Sequence, residues 1–197
     1  SALACWWLGG IVAPISARNR GMDILPILQT TGARYLFSST DANGSNLFQI
    51  LLEYIEDSDL SPAKTLPDLA YAVDFAEDIE SDFFMPWAQF LALGAAVQVS
   101  RSAAVSGNDT CMVLFTSGTT GRAKGVMRGH RQVLLVRWLS SGSRGYTNQD
   151  RVMVIPPFSH VSGLNNGLLR CLLMGMTCII VRRYDAAEAI KLMGRES

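Results

Sequence analysis

Histidine is scarce in this 197-residue chain, which holds only His130 and His160. The four cysteines, Cys5, Cys111, Cys171 and Cys178, contain no C-x-x-C pair. A structural zinc site is therefore not expected. Four cysteines are also too few for a disulfide scaffold at this length, and they read as buried thiols in a reducing compartment. Neither charge is in excess: 17 basic and 17 acidic side chains give a formal net charge of zero. A nucleic-acid partner is not expected, because it would call for a basic excess gathered on one face. Long hydrophobic runs are missing too. The apolar run from Leu168 to Val181 contains Arg170 and is too short to span a bilayer. The apolar start from Ala2 to Leu8 has no basic region before it, as a secretory leader would. A soluble, cytoplasmic protein without a transmembrane segment is the expectation. The start at Ser1, without a Met and directly in an apolar stretch, reads as a piece cut from something larger.

What is present is a globular composition. Hydrophobic residues make up 49% and charged residues 17%. This is enough for one substantial domain and its core, and far from the signature of disorder. Helix-like and strand-like segments alternate. Residues 2–8 read as the end of a buried helix stopped by Gly9-Gly10, with Trp6 and Trp7 in the core. Ile11 to Ile15 reads as a short strand and Asp23 to Thr31 as a helix ended by Gly32. Ala33 to Phe37 reads as the next strand. This β-α-β rhythm points to an α/β fold, with helices on a largely parallel sheet. Leu47 to Ile55 predicts an amphipathic helix and Asp57 to Pro67 a loop-rich stretch. Phe83 to Val99 predicts a helix interrupted by Pro86, with Leu91-Ala92-Leu93 in the core. Ser100 to Thr110 is a connector. Strands are then predicted at Cys111–Phe115, Arg151–Ile155 and Thr177–Val181. Helices are predicted at His130–Ser140, Gly167–Leu173 and Asp185–Met193.

The segment Thr116-Ser117-Gly118-Thr119-Thr120-Gly121-Arg122-Ala123-Lys124-Gly125 follows the buried strand Cys111–Phe115 directly. Glycines let the backbone approach a polyanion and turn its N–H groups inward. The hydroxyls of Thr116, Ser117, Thr119 and Thr120 are donors for phosphate oxygens, and Lys124 brings a mobile positive charge to the outer phosphates. The C-terminal end of a strand is also where open α/β sheets hold ligands. A flexible linker has similar composition, but would not ordinarily follow five apolar residues and end on a single lysine. A Walker loop needs G-x-x-x-x-G-K-[ST]; here Gly118 and Gly121 have the wrong spacing and Gly125 follows Lys124, so a P-loop kinase fits poorly. The dinucleotide fingerprint G-x-G-x-x-G is likewise absent.

This loop resembles the signature loop of the adenylate-forming superfamily, which includes acyl-CoA synthetases, aryl-CoA ligases, luciferases and peptide-synthetase adenylation domains. The family usually has Pro where this chain has Ala123, a change expected to cost loop rigidity rather than phosphate binding. Val126 to Arg131 resembles the segment leading from the loop into its helix. Pro156-Pro157-Phe158-Ser159-His160-Val161-Ser162-Gly163 resembles the family's second motif, in which a histidine stands three residues before a glycine. Gly9 to Ile15, Ile27-Leu28 and Gly32-Ala33-Arg34 resemble its first β-α-β unit. The resemblance implies that residues 1–197 are part of the large N-terminal domain, without the mobile C-terminal domain.

By that resemblance, the expected activity is ATP-dependent conversion of a carboxylic acid to an acyl-adenylate, followed by transfer to CoA. The acid is expected to be apolar or aromatic, with ATP, Mg²⁺ and CoA as cofactors. Thr116, Ser117, Gly118, Thr119, Thr120, Gly121 and Lys124 would hold the triphosphate. Lys124 and His160 would act at the reacting centre, with His160 at the mouth of the acyl pocket. A histidine that caps the following helix through a backbone contact is the other reading of His160, and His130 is read as structural. The family's later motifs for adenine, ribose and Mg²⁺ lie beyond Ser197. A non-catalytic remnant that keeps an anion-binding loop is therefore the alternative for this polypeptide.

Overall fold

A computed structural model describes residues 1–16, 18–39, 46–75, 83–97, 104–116, 123–181 and 183–196. The chain divides into two compact units. The first comprises residues 1–8, 15–103 and 115–125; the second comprises residues 9–14, 104–114 and 126–197.

The first unit is built on helices α1 (Ala2–Trp7), α2 (Gly21–Thr31), α3 (Leu47–Asp57), α4 (Pro62–Thr65) and α5 (Trp87–Ala95). Its strands β1 (Tyr35–Ser38), β2 (Tyr71–Asp74) and β3 (Met85–Pro86) form a parallel sheet in that order. Tyr35 pairs with Tyr71 and Val73 with Met85. The Asp23 carboxylate accepts the Arg20 N–H at 3.0 Å at the start of α2, and Gly32 closes the helix in the left-handed region at φ 57°. The apolar stripes of α2 (Ile24, Leu25, Leu28) and α3 (Phe48, Leu51, Ile55) meet Leu36 and Ala72 from the sheet in one core. The two helices approach so closely that a Cβ at Gly21 would overlap Tyr54.

Alternation along β1 and β2 sends Tyr35, Phe37, Tyr71 and Phe75 to the opposite side, where they meet Trp87 and Phe90 of α5. This arrangement corrects one expectation. Leu91 and Leu93 are exposed rather than core, because α5 packs through Trp87 and Phe90. Another correction concerns α1, which buries none of its residues; Trp7 is 61% exposed and Trp6 half-buried. A six-residue helix has less than two full turns with which to cover a pair of indoles. Pro86 proves to be the N-cap of α5, not an interruption within a longer helix.

In the second unit, Val12 forms an isolated parallel bridge to Met112, the one trace among the described residues of the strand expected at Ile11–Ile15. Strand β4 (Thr110–Thr116), in this unit up to Leu114, pairs with β5 (Lys124–Gly129), in this unit from Val126, which was not foreseen as a strand. Helix α6 (His130–Gly142) follows, its first turn capped by Gln132 accepting the Gly129 N–H at 3.1 Å. Strands β6 (Arg151–Val154) and β7 (Thr177–Ile180) are parallel neighbours. Between them run a π-helix (Ser162–Leu169) and helix α7 (Arg170–Met174), and α8 (Ala186–Glu196) comes last. The helix expected from Gly167 thus starts earlier and with a wider turn. Of the four cysteines, all free, Cys111 and Cys171 are buried as expected, whereas Cys5 and Cys178 are only half-buried.

Candidate functional site

Strand β4 carries the chain from interior to solvent. Cys111 and Met112 are buried, Val113 to Phe115 half-buried, and Thr116 is exposed. The Cys111 thiol donates to the Arg128 carbonyl at 3.3 Å. At the far end of the hairpin, the Thr116 hydroxyl donates to the Lys124 carbonyl at 3.4 Å. These pairings run β4 and β5 antiparallel and bring the two ends of the glycine-rich segment together. Lys124 is exposed and, among the described residues, forms no ion pair. Its ammonium is therefore not committed to a protein carboxylate in the described part of the molecule. Ser117, Gly118, Thr119, Thr120 and Gly121 lie outside the described residues.

His160 belongs to the second unit, on the turn between β6 and the π-helix. Its N–H donates to the Pro157 carbonyl at 3.0 Å, and its own carbonyl accepts from Leu164 at 3.0 Å. The imidazole Nδ1 accepts the Ser162 N–H at 3.1 Å. One of the otherwise unpaired donors at the helix start is thereby satisfied. In this contact Nδ1 is an acceptor, so a neutral ring carries its proton on Nε2, and His160 is exposed. The side chain thus makes the backbone contact of a cap and still presents its other nitrogen outward. His130 begins α6, where its N–H donates to the Asp109 carbonyl at 3.2 Å.

Two glycines set this turn. A Cβ at Gly163 would overlap the carbonyl oxygens of Pro156 and Pro157, and one at Gly167 would press into the Val154 side chain. Only a residue without a side chain lets the π-helix lie this close to the end of β6. π-Helical turns are uncommon and gather at functional sites. Here the turn buries Asn165, whose Oδ1 has no hydrogen-bond partner among the described residues. Sequence reasoning did not single out Asn165. Its visible signal was a polar Asn165-Asn166 pair inside an apolar helical stretch.

Cys171, next to this turn, is pushed up to about 11, by burial first and then by the neighbouring Cys178 thiol. Among the described residues, no three His, Cys, Asp or Glu side chains gather as metal ligands, and no helix is long and apolar enough to cross a membrane.

The family model described as AMP-binding enzyme matches residues 1–196. A 3-[(3aS,4S,7aS)-7a-methyl-1,5-dioxo-octahydro-1H-inden-4-yl]propanoyl:CoA ligase of Mycobacterium tuberculosis is 32% identical over 99% of this chain and 36% of its own length. A 4-coumarate--CoA ligase-like protein of Oryza sativa subsp. japonica is 28% identical over 99% of this chain and 33% of its own. Among solved structures, an anthranilate CoA ligase in complex with anthranoyl-AMP superposes with a TM-score of 0.75 at 21% identity. That match covers 99% of this chain and 35% of that one, and shows a shared α/β fold. The chain thus spans about a third of the length of these relatives. With a family match running from Ser1 to Glu196, the chain belongs to the AMP-binding enzyme family.

Proposed function

We propose that the protein carrying this chain activates a carboxylic acid with ATP and passes the acyl group to CoA. The observation that carries this reading is the β4–β5 hairpin. It delivers Thr116 and Lys124 together at an exposed strand end, on either side of the glycine-rich segment. In the reaction a carboxylate oxygen attacks the α-phosphorus of ATP. The bond from that phosphorus to the bridging oxygen breaks, and pyrophosphate leaves. The thiol of CoA then attacks the acyl carbon and AMP departs.

Thr116, Ser117, Gly118, Thr119, Thr120 and Gly121 would surround the outer phosphates. Lys124 would neutralise charge that grows on the leaving pyrophosphate. Mg²⁺ travelling with ATP would share that neutralisation. His160, its ring oriented by the Ser162 N–H, would stand at the acyl pocket with Nε2 available to the substrate. The substrate class is an apolar or aromatic acid. The support is the mycobacterial relative, whose name gives it a ring-bearing octahydro-1H-inden-4-yl propanoyl group.

Carboxylate-dependent exchange of labelled pyrophosphate into ATP tests the reading. Lys124→Ala is expected to lower exchange by about 10²–10³-fold, as loss of one preorganised charge-stabilising group does elsewhere. Undiminished exchange in that variant would remove the loop from the mechanism.

A further inference from the structure

The C-terminal half of α6 carries an unusual polar stripe. Arg137, Ser140 and Ser141 recur at helical spacing within it, and Arg144 follows in the turn just past the helix end at Gly142. Arg170, the first residue of α7, lies against this stripe and is only 6% exposed. Its terminal nitrogen donates to the Ser140 hydroxyl at 3.3 Å, and its guanidinium sits 5.1 Å from the centre of the Tyr146 ring. Ser140 passes the contact on to the Arg137 carbonyl at 3.2 Å.

These contacts leave the charge incompletely served. Among the described residues, Arg170 Nε has no hydrogen-bond partner, and neither has the hydroxyl of fully buried Ser141. Among the described residues, Arg170 forms no ion pair. The charges that act on Arg137 have the same sign as its own. Burial, then Arg170 and Arg144, hold half-buried Arg137 below its ordinary value. Arg137, facing the like charges of Arg144 and Arg170 beside an orphan guanidinium N–H and an orphan hydroxyl, has no counter-charge among the described residues. Buried guanidinium groups are ordinarily paired with an acceptor that can take more than one N–H.

We propose that Arg137, Arg144 and Arg170, with Ser141, form a binding site for a small oxyanion, a phosphate or a carboxylate. Arg144 is exposed and marks the side from which the anion enters. Arg170 provides the innermost donor, oriented by Ser140 and Tyr146. None of these residues belongs to the glycine-rich segment, so the site stands or falls apart from the adenylation chemistry.

The test is calorimetric titration of the full chain carrying Lys124→Ala, which silences the loop as a competing phosphate site. The probes are inorganic phosphate, acetate and chloride at matched ionic strength. Saturable phosphate or acetate binding is expected, and which of the two binds more tightly identifies the oxyanion. Arg144→Gln should weaken it about tenfold, the effect of one charge-assisted contact. Arg137→Gln with Arg144→Gln should abolish it. Both positions are at least partly exposed, so these variants keep the test open even if Arg170→Gln fails to fold. Equal response to chloride, or binding unchanged in the double variant, overturns the proposal. Loss of pyrophosphate exchange in an otherwise wild-type Lys124→Ala variant would bear on the proposed activity alone.

Discussion

The two units bury their residues in different ways. In the first, Ile24, Phe48, Leu51 and Ile55 are fully inaccessible and belong to one apolar cluster shared by α2, α3 and the sheet. In the second, α6 buries only Val133 and Ser141, while Leu134, Leu135, Val136, Trp138 and Leu139 are exposed; α8 buries nothing. The unit's apolar burial lies along β4, β6 and the π-helix instead, at Met112, Val154 and Leu164, beside close contacts of Gly163 with the Pro156 and Pro157 carbonyls and of Arg170 with Ser140 and Tyr146. The difference separates two kinds of local order. An amphipathic core is held by many interchangeable methyl groups, whereas a turn that positions a histidine depends on a few contacts with no substitute.

Breaking the first unit at its centre should have the largest effect. Phe48→Ala is expected to lower unfolding free energy by about 3–5 kcal/mol, since it removes a fully buried ring that packs on Phe84. Urea titration measures this, and a loss below the cost of a surface change would mean the cluster is not a core.

The counterpart in the second unit is Gly163→Ala. A new methyl has to displace the Pro156 and Pro157 carbonyls, an overpacking cost of about 1–3 kcal/mol. The Ser162 to His160 contact should be lost at the same time, visible as a changed imidazole nitrogen shift in NMR. A variant with unaltered histidine signals would show that the turn tolerates a side chain and that Gly163 does not set the ring.

The uncovered face of α6 leads to a third expectation. The chain by itself should bind a hydrophobic dye, because five neighbouring large apolar side chains exceed what a soluble surface usually exposes. Leu135→Gln with Leu139→Gln should reduce the dye signal and leave stability within about 0.5 kcal/mol, as for other exposed positions. A sharp cooperative melt with no dye binding would remove the contrast between the units.

The smallest effect concerns Cys171. Its folded-state value is raised above 9.0 to about 11, so the unfolded chain gives up this proton first. Between these values the folded state holds more protons, and stability falls as pH rises through that window. Cys171→Ala should flatten this part of the pH–stability profile. An identical slope in the variant would assign it to other groups.

Several elements were legible because their signals are local. The apolar periodicity of α2 and α3 and the position of Gly32 mark helices and a stop. The runs at Cys111–Phe115 and Arg151–Ile155 correspond to β4 and β6 within a residue at either end. The core assignments that failed depended on which face meets a neighbour. Trp7, Leu91 and Leu93 are apolar enough for a core, yet Trp87 and Phe90 occupy the contact that was assigned to the leucines. Strand β5 carries no apolar alternation, and its whole length is exposed or half-buried, so hydrogen bonding to β4 rather than burial makes it a strand.

The same division applies to the candidate site. Residue order alone determined the family, the loop from Thr116 to Lys124 and the histidine motif, because backbone freedom at glycine and the chemistry of hydroxyl and ammonium groups are properties of the residues themselves. Tertiary structure decided that Thr116 reaches the Lys124 carbonyl, that His160 turns Nδ1 toward Ser162, and that Arg170 is buried against Ser140 and Tyr146. These contacts join different elements or depend on how a turn closes. Their free energy arises only when packing excludes water from both partners, a condition that no single segment of sequence carries.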